Sequence, residues 1–207
     1  MPPIRIAVLI SGSGSNLQSI IDKIEKKEIY GELVLVVSNK RNAYGLERAK
    51  KHNIESLMID SQLIGKDDYN RQILEAVIEK NVELVILAGY LKILDKKFIE
   101  AYRNRIINIH PSLIPSFCGK GYYGLKVHQS AVDYGVKISG ATVHFVDEEA
   151  DNGPIILQES VAVDFDDTPE TLQSKVLAIE HELLPEAIKL YCDGKLEVIG
   201  RKVSISK

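Results

Sequence analysis

The sequence contains no tryptophan, two cysteines and four phenylalanines in 207 residues. The two cysteines, Cys118 and Cys192, are too few for a disulfide framework. Neither lies in a metal-ligand spacing, so a reducing cytoplasm and a metal-free site are expected. So few aromatic rings argue against a stacking platform for single-stranded nucleic acid. A long basic tract is also missing: 26 lysines and arginines against 29 aspartates and glutamates leave a net charge of −3. Basic residues occur in short mixed runs, at 23–28 and 50–52, typical of solvated helix faces. Nucleic acid is therefore not an expected partner. The apolar runs fall well short of the ~20 residues that cross a bilayer, and the amino terminus has no signal-peptide pattern. No membrane is expected. Nor does any break in composition divide the chain, so one domain is expected over 1–207.

What is present is an alternation of apolar runs with segments of helical spacing. Residues 4–10, 33–37, 55–59, 84–88 and 106–110 read as strands. Helices are predicted between them, from Leu17 to about Glu28 and over 43–52, 67–80 and 95–102. Strand and helix in turn imply an α/β fold: a Rossmann-like, open, mostly parallel sheet with helices on both faces. After Pro115 the pattern changes. Residues 116–125 hold three glycines and no apolar period, and read as a mobile loop ahead of a helix near 126–134. Residues 138–146 and 155–163 are predicted to pair antiparallel across the loop 147–154, giving the sheet an antiparallel C-terminal portion. Thr168, Pro169 and Glu170 suit the cap, first position and positive end of a last helix reaching about Tyr191, with a kink expected at Pro185. Residues 195–205 read as a terminal strand or hairpin.

The most informative stretch is Ile106-Ile-Asn-Ile-His-Pro-Ser-Leu-Ile-Pro115. On a strand, Asn108 and His110 point to the same face. Pro111 ends the ladder, so the pair stands at the strand's carboxyl end, the rim where open α/β sheets bind ligands. An amide donor beside an imidazole suits chemistry at a carbonyl that turns negative in its transition state. A buried structural histidine with a turn-forming asparagine is the alternative.

The first strand opens through Ser11-Gly-Ser-Gly-Ser-Asn16 onto a helix. This loop departs from the dinucleotide fingerprint: Leu17 takes the third glycine position, and the second strand ends in Ser38-Asn39-Lys40 without an acid. A single phosphate on the amides of Gly14, Ser15 and Asn16 is one reading. A tight turn capped by Ser15 or Asn16 is the other. Asp151, in Asp-Asn-Gly-Pro, stands on the loop expected at the active rim, where it either orients a histidine or a water or simply makes a turn. His144, within a strand, is read as a packed core or supporting imidazole, and His128 as surface or substrate-rim polarity. Cys118 lacks a basic neighbour in sequence to make it a thiolate. Ser112 lacks the nucleophile elbow of a hydrolase.

Taken together, the chain resembles the phosphoribosylglycinamide formyltransferase family, from Ile6 to about Tyr191. The resemblance rests on Ile-Ser-Gly-Ser-Gly-Ser-Asn-Leu, Val-Ser-Asn-Lys, Leu-Ala-Gly-Tyr-Leu-Lys-Ile-Leu, Asn-Ile-His-Pro-Ser-Leu-Ile-Pro, Thr-Val-His-Phe-Val and Asp-Asn-Gly-Pro-Ile-Ile. The Asn-x-His with a downstream aspartate is common to folate-dependent formyltransferases of this fold; the phosphate loop and Ile179-Glu-His181 narrow the match. It implies transfer of the formyl group of 10-formyltetrahydrofolate to the amine of glycinamide ribonucleotide in de novo purine synthesis. It further implies Asn108, His110 and Asp151 as catalytic residues, with Gly14, Ser15, Asn16 and Glu180 on the phosphoribosyl substrate. The folate would contact Leu91, Lys92, Ile93, Leu94, Asn108, Asp147, Glu148, Glu149, Ala150 and Asp151. Lys66 stands where relatives commonly carry a folate-contacting arginine, and the loop 116–125 is longer than in some of them. Residues 1–105 would form a phosphate-binding half, 106–207 a catalytic and folate-binding half, of a monomer or weak homodimer. The related 10-formyltetrahydrofolate hydrolase is expected to carry an extra amino-terminal domain, and methionyl-tRNA formyltransferase an extra carboxy-terminal one. Here the first strand starts at residue 4 and about fifteen residues follow Tyr191.

Overall fold

The computed structural model describes residues 2–206. In chain order its elements are β1 (Ile4–Ile10), α1 (Ser15–Glu25), β2 (Gly31–Ser38), α2 (Tyr44–Lys51), β3 (Ser56–Met58), α3 (Lys66–Glu79), β4 (Leu84–Leu87) and α4 (Lys96–Ala101). They continue with β5 (Ile106–His110), α5 (Leu125–Tyr134), β6 (Ile138–Phe145), β7 (Ile155–Ala162), α6 (Pro169–Cys192), β8 (Leu196–Ile199) and β9 (Lys202–Ile205). The strands form one nine-stranded sheet in the order β3-β2-β1-β4-β5-β6-β7-β9-β8. From β3 to β5 neighbours run parallel; β5–β6, β6–β7 and β8–β9 are antiparallel, with β9 touching β7 through a single parallel bridge.

Strand alternation sorts the core into two layers. Ile6, Val8 and Ile10 of β1 pack with Leu17, Ile20, Ala131, Leu172 and Leu184 of the helices on one face. Ala7 and Leu9 pack with Tyr69, Ile73, Val77 and Phe98 of α3 and α4 on the other. Both faces of the central strands are covered, which is why those strands read as unbroken apolar runs rather than alternating ones. β1 lies between β2 and β4, so the chain leaves the sheet in opposite senses beyond the ends of β1 and β4. That is the switch point of an open α/β sheet, and a crevice forms there.

Most element boundaries fall within two residues of the sequence reading. α1 is the exception: it stops at Glu25, not Glu28, because Lys27 enters the left-handed region (φ 59) and its N–H returns to the Ile24 carbonyl. At α6, Thr168 and Thr171 cap each other reciprocally, and the helix then runs through Pro185 to Cys192. Residues 195–205 form the β8–β9 hairpin. The Ile114–Pro115 peptide is cis.

Asp151 reaches the His110 rim as expected, but by an indirect path. β6 runs against β5 with Phe145 opposite Ile107, so the chain leaves β6 at the amino end of β5, away from the His110 rim. The loop between β6 and β7 therefore does not start at the carboxyl rim. It folds back over the face that carries Asn108, and Val146 packs into the layer of α3 and α4. Gly153 makes that fold-back possible, because a Cβ there would lie 1.8 Å from the Phe145 carbonyl oxygen and 3.3 Å from the Asp147 nitrogen. Backbone cannot yield as a side-chain tip can, so Gly153→Ala is expected to cost about 2 kcal/mol or more in urea denaturation. Stability within about 0.5 kcal/mol of the parent, the range of neutral surface changes, would show that the loop is not packed this way.

Candidate active site

β5 places Ile106, Asn108 and His110 on one face, and β6 places His144 directly opposite Asn108. His144 is buried, and its Nδ1 lies 2.8 Å from the Phe145 carbonyl. A carbonyl only accepts, so Nδ1 carries the hydrogen. Burial lowers the His144 pKa, which keeps the ring neutral and its Nε2 lone pair free. That lone pair accepts from Asn108 Nδ2 at 3.1 Å. The histidine thus settles which end of the Asn108 amide is the donor.

Asp151 reaches the same spot from the fold-back loop. Its Oδ2 accepts the Gly119 N–H at 2.9 Å and lies 3.4 Å from His110 Nδ1. Its Oδ1 lies 3.4 Å from Asn108 Nδ2, a long contact that an incoming oxyanion can replace at small cost. His110 Nε2 faces the Phe117 carbonyl at 3.0 Å and must be the donor there. Nδ1, beside the carboxylate, is therefore the nitrogen that exchanges a proton. Phe117 and Asp151 both hold left-handed backbone (φ 50 and 54), a conformation that non-glycine residues adopt at a cost of order 1 kcal/mol.

The loop between β1 and α1 leaves the start of the helix without a side-chain cap. Gly14 is the N-cap of α1, in the left-handed region (φ 69), and no side chain caps the helix. The turn capped by Ser15 or Asn16 is thus not what forms. Instead Asn16 turns inward and donates from Nδ2 to Glu180 Oε2 at 2.6 Å, leaving its own buried Oδ1 without a partner. Burial pushes the Glu180 carboxyl up to about 7, against the pull of the Asn16 bond. Two residues not singled out from sequence shape this loop. Gly45 comes so close that a Cβ on Gly14 would lie 2.7 Å from its Cα, and its N–H donates to the Gly12 carbonyl. Arg48 Nε donates to the Ser13 carbonyl at 2.9 Å. A glycine and an arginine in a short helix carried no sequence signal, because their role depends on α2 crossing the loop.

One cavity of about 680 Å³ joins these groups. That volume suits two small ligands side by side. Gly14, Ser15, Asn16 and Glu180 line one part, and Leu91, Lys92, Ile93, Leu94 and residues 147–151 another, with Asn108, His110 and His144 also in its wall. Leu91 and Ile93 are exposed apolar side chains facing this space, and Leu94 is buried. Lys66, at the start of α3, is exposed and is not part of the cavity wall. His128 is not at the surface: it is buried in the wall, its Nδ1 has no partner, and burial with the nearby His110 takes its pKa down to about 4. Burial and Asp151 push the Cys118 thiol pKa up, so it is no nucleophile. Ser112 Oγ donates to the Ser116 carbonyl at 2.6 Å and is not offered to His110. Among the described residues no cluster of three metal-ligating side chains occurs, and no helix is long and apolar enough to cross a membrane.

Comparison with known proteins places the chain in a family. A family model described as formyl transferase matches residues 4–188. The crystal structure of glycinamide ribonucleotide transformylase 1 from Symbiobacterium toebii is 43% identical and superposes with a TM-score of 0.94, covering 99% of this chain and 95% of that one. Phosphoribosylglycinamide formyltransferase of Escherichia coli (strain K12) is 39% identical over 94% of this chain and 90% of its own length. The trifunctional purine biosynthetic protein adenosine-3 of Gallus gallus is 40% identical over 94% of this chain, which spans only 19% of that longer protein.

The Glu180 environment makes a stability prediction. Its folded pKa, about 7, lies above the ordinary 4.5, so the folded protein holds a proton that the unfolded chain releases between these values. The contribution is intact below about pH 4.5 and is lost as pH rises through 7. Urea denaturation of the ligand-free protein at pH 5 and pH 8 should therefore show the parent losing up to ~3 kcal/mol relative to Glu180→Gln. An equal pH response in both proteins would contradict the buried, protonated carboxyl.

Proposed function

The chain belongs to the formyl transferase family, and on that premise we propose that it moves the formyl group of 10-formyltetrahydrofolate to the amine of glycinamide ribonucleotide. The products are formylglycinamide ribonucleotide and tetrahydrofolate, as in purine biosynthesis. One observation carries this reading. The donor of Asn108 and the imidazole of His110 each lie 3.4 Å from the carboxylate of Asp151. They line the same cavity as an uncapped helix start and the orphaned Asn16 oxygen.

In this assignment the phosphate rests on the amides of Gly14, Ser15 and Asn16 at the positive end of α1. Asn16 and Glu180 take the ribose part: the unpartnered Oδ1 accepts a hydroxyl hydrogen, and Glu180 accepts or donates according to its protonation. The pterin enters between residues 91–94 and 147–151. Lys66, outside the cavity wall, is available only to a part of folate that projects from the cleft, and an ammonium there gives a point charge where an arginine gives a fork.

The amine lone pair attacks the formyl carbon and the carbonyl electrons move onto oxygen. Asn108 Nδ2 turns from its long contact with Asp151 to that oxyanion, and His110 Nδ1 joins it once the proton lost by the amine has reached that nitrogen. The amine then loses a proton to the His110–Asp151 pair through a water, the C–N bond to folate breaks, and the pair returns a proton to the departing nitrogen. An oxyanion donor is typically worth ~3 kcal/mol of barrier and acid/base help about as much.

Asn108→Ala and His110→Ala are therefore each expected to lower kcat at least about a hundredfold while the thermal midpoint stays near that of the parent. Near-normal turnover in either would remove that residue from the mechanism. The choice of acceptor is tested separately, by following folate absorbance with and without glycinamide ribonucleotide. Deformylation should require the ribonucleotide; equal turnover without it would make water the acceptor and the protein a hydrolase.

A further inference from the structure

The ends of β1 and β4 separate at the switch point, and one buried hydroxyl spans the gap. Leu9 still pairs with Leu87, and the Ala88 N–H donates to the Leu9 carbonyl at 3.0 Å. Beyond this the ladder opens. The chain after β1 becomes the phosphate loop; the chain after β4 turns through Gly89 (φ 68) into residues 91–94. Ser11 stands at the divergence, only 3% exposed. Its Oγ accepts the Leu91 N–H at 2.9 Å and donates to Asn39 Oδ1, just past β2, at 2.6 Å. A hydroxyl has one hydrogen. Giving it to Asn39 turns a lone pair to Leu91, so a single side chain joins the ends of β2, β1 and β4.

We propose that Ser11 is a positioning residue that couples the two substrate subsites. It holds the amide of Leu91, and with it the wall of the folate slot, at a fixed offset from the loop that takes the phosphate. This rests on the reading of the two subsites given above. Ser11 itself touches no reacting atom. Leu91 is 47% and Ile93 58% exposed, so apolar packing holds this wall through Leu94 and not at its Leu91 end. Its other tethers are the Tyr69–Tyr90 hydroxyl pair and the Asn70 oxygen that accepts the Asp95 N–H. A phosphate that orders residues 13–16 restrains Ser11 from one side, and a pterin packed on Leu91 restrains it from the other. Each ligand then supplies part of the ordering that the other needs, which is positive coupling without a change of shape. Such coupling must be reciprocal.

The test uses tetrahydrofolate with glycinamide ribonucleotide, a pair that has no formyl group and cannot turn over. Calorimetry gives the dissociation constant of each ligand alone and with the other saturating. In the parent protein both ligands should tighten by one shared factor, about threefold or more. In Ser11→Ala that factor should fall close to one, with the folate KM up about fivefold and kcat within about twofold, the scale of one neutral hydrogen bond. Asn39→Ala should fall between, because the hydroxyl loses its orienting acceptor, and Asn39→Asp, which keeps that oxygen, should restore coupling.

Several outcomes overturn the proposal: a parent factor of one, an unchanged factor in Ser11→Ala, Asn39→Asp matching Asn39→Ala, or kcat and both affinities falling together. The last marks general loosening. If Ser11→Ala does not fold, the two Asn39 variants decide. A parent that binds neither ligand defeats the functional reading as well; a parent that turns over while Ser11→Ala keeps its coupling defeats only this inference.

Discussion

The carboxylate of Asp151 must lie over the face of β5, and the rest of the site depends on it. Only there do its two oxygens meet the Gly119 amide, the Asn108 amide and the His110 ring together. A carboxylate held in place by neutral donors can answer a proton arriving on the imidazole. Neutral His144 completes the arrangement by fixing the Asn108 donor, and the Phe117 carbonyl fixes the hydrogen on His110 Nε2. Donor and acceptor roles follow from which partners can only accept. The two oxygens, two rings and one amide leave a single proton-exchanging nitrogen facing the cavity.

The sheet supplies the rest by its order. β1 and β4 diverge at the centre of the sheet, and their two following loops both line one cavity. Close backbone approach of Gly14 to Gly45 shapes one end of it; backbone on backbone at Gly153 shapes the other. Both halves of the chain contribute to both ends. Glu180 of α6 reaches the loop after β1 through Asn16, and residues 91–94 line the cavity together with the fold-back loop.

Much of this was legible in sequence where the cause is local. Apolar period gave the strands and helices, Thr168-Pro169 gave the start of α6, and same-face spacing gave Asn108 with His110. What depends on register was not legible. The direction of β6 relative to β5 makes the loop with Asp151 begin at the far end of β5, so the fold-back that brings Asp151 to the His110 rim had no sign in the sequence. His128 lies on an amphipathic helix whose buried side is set by α6 and the cavity, so the sequence left surface and substrate rim as alternatives, and the structure puts it in the cavity wall. Gly45, Arg48 and Ser11 act on segments distant in sequence, and a lone glycine, arginine or serine carries no period to betray that. Lys27 shows the same limit on a small scale: a left-handed lysine ends α1 where sequence offered no glycine.

The most direct measurement is a crystal structure of the protein with glycinamide ribonucleotide and tetrahydrofolate bound together. The account predicts the phosphate on the amides of residues 14–16. It also predicts the folate N10 and the glycinamide amine on either side of one point within hydrogen-bond reach, roughly 3 Å, of both Asn108 Nδ2 and His110 Nδ1. Either nitrogen bound away from that point, or a pterin outside the space between residues 91–94 and 147–151, would contradict it.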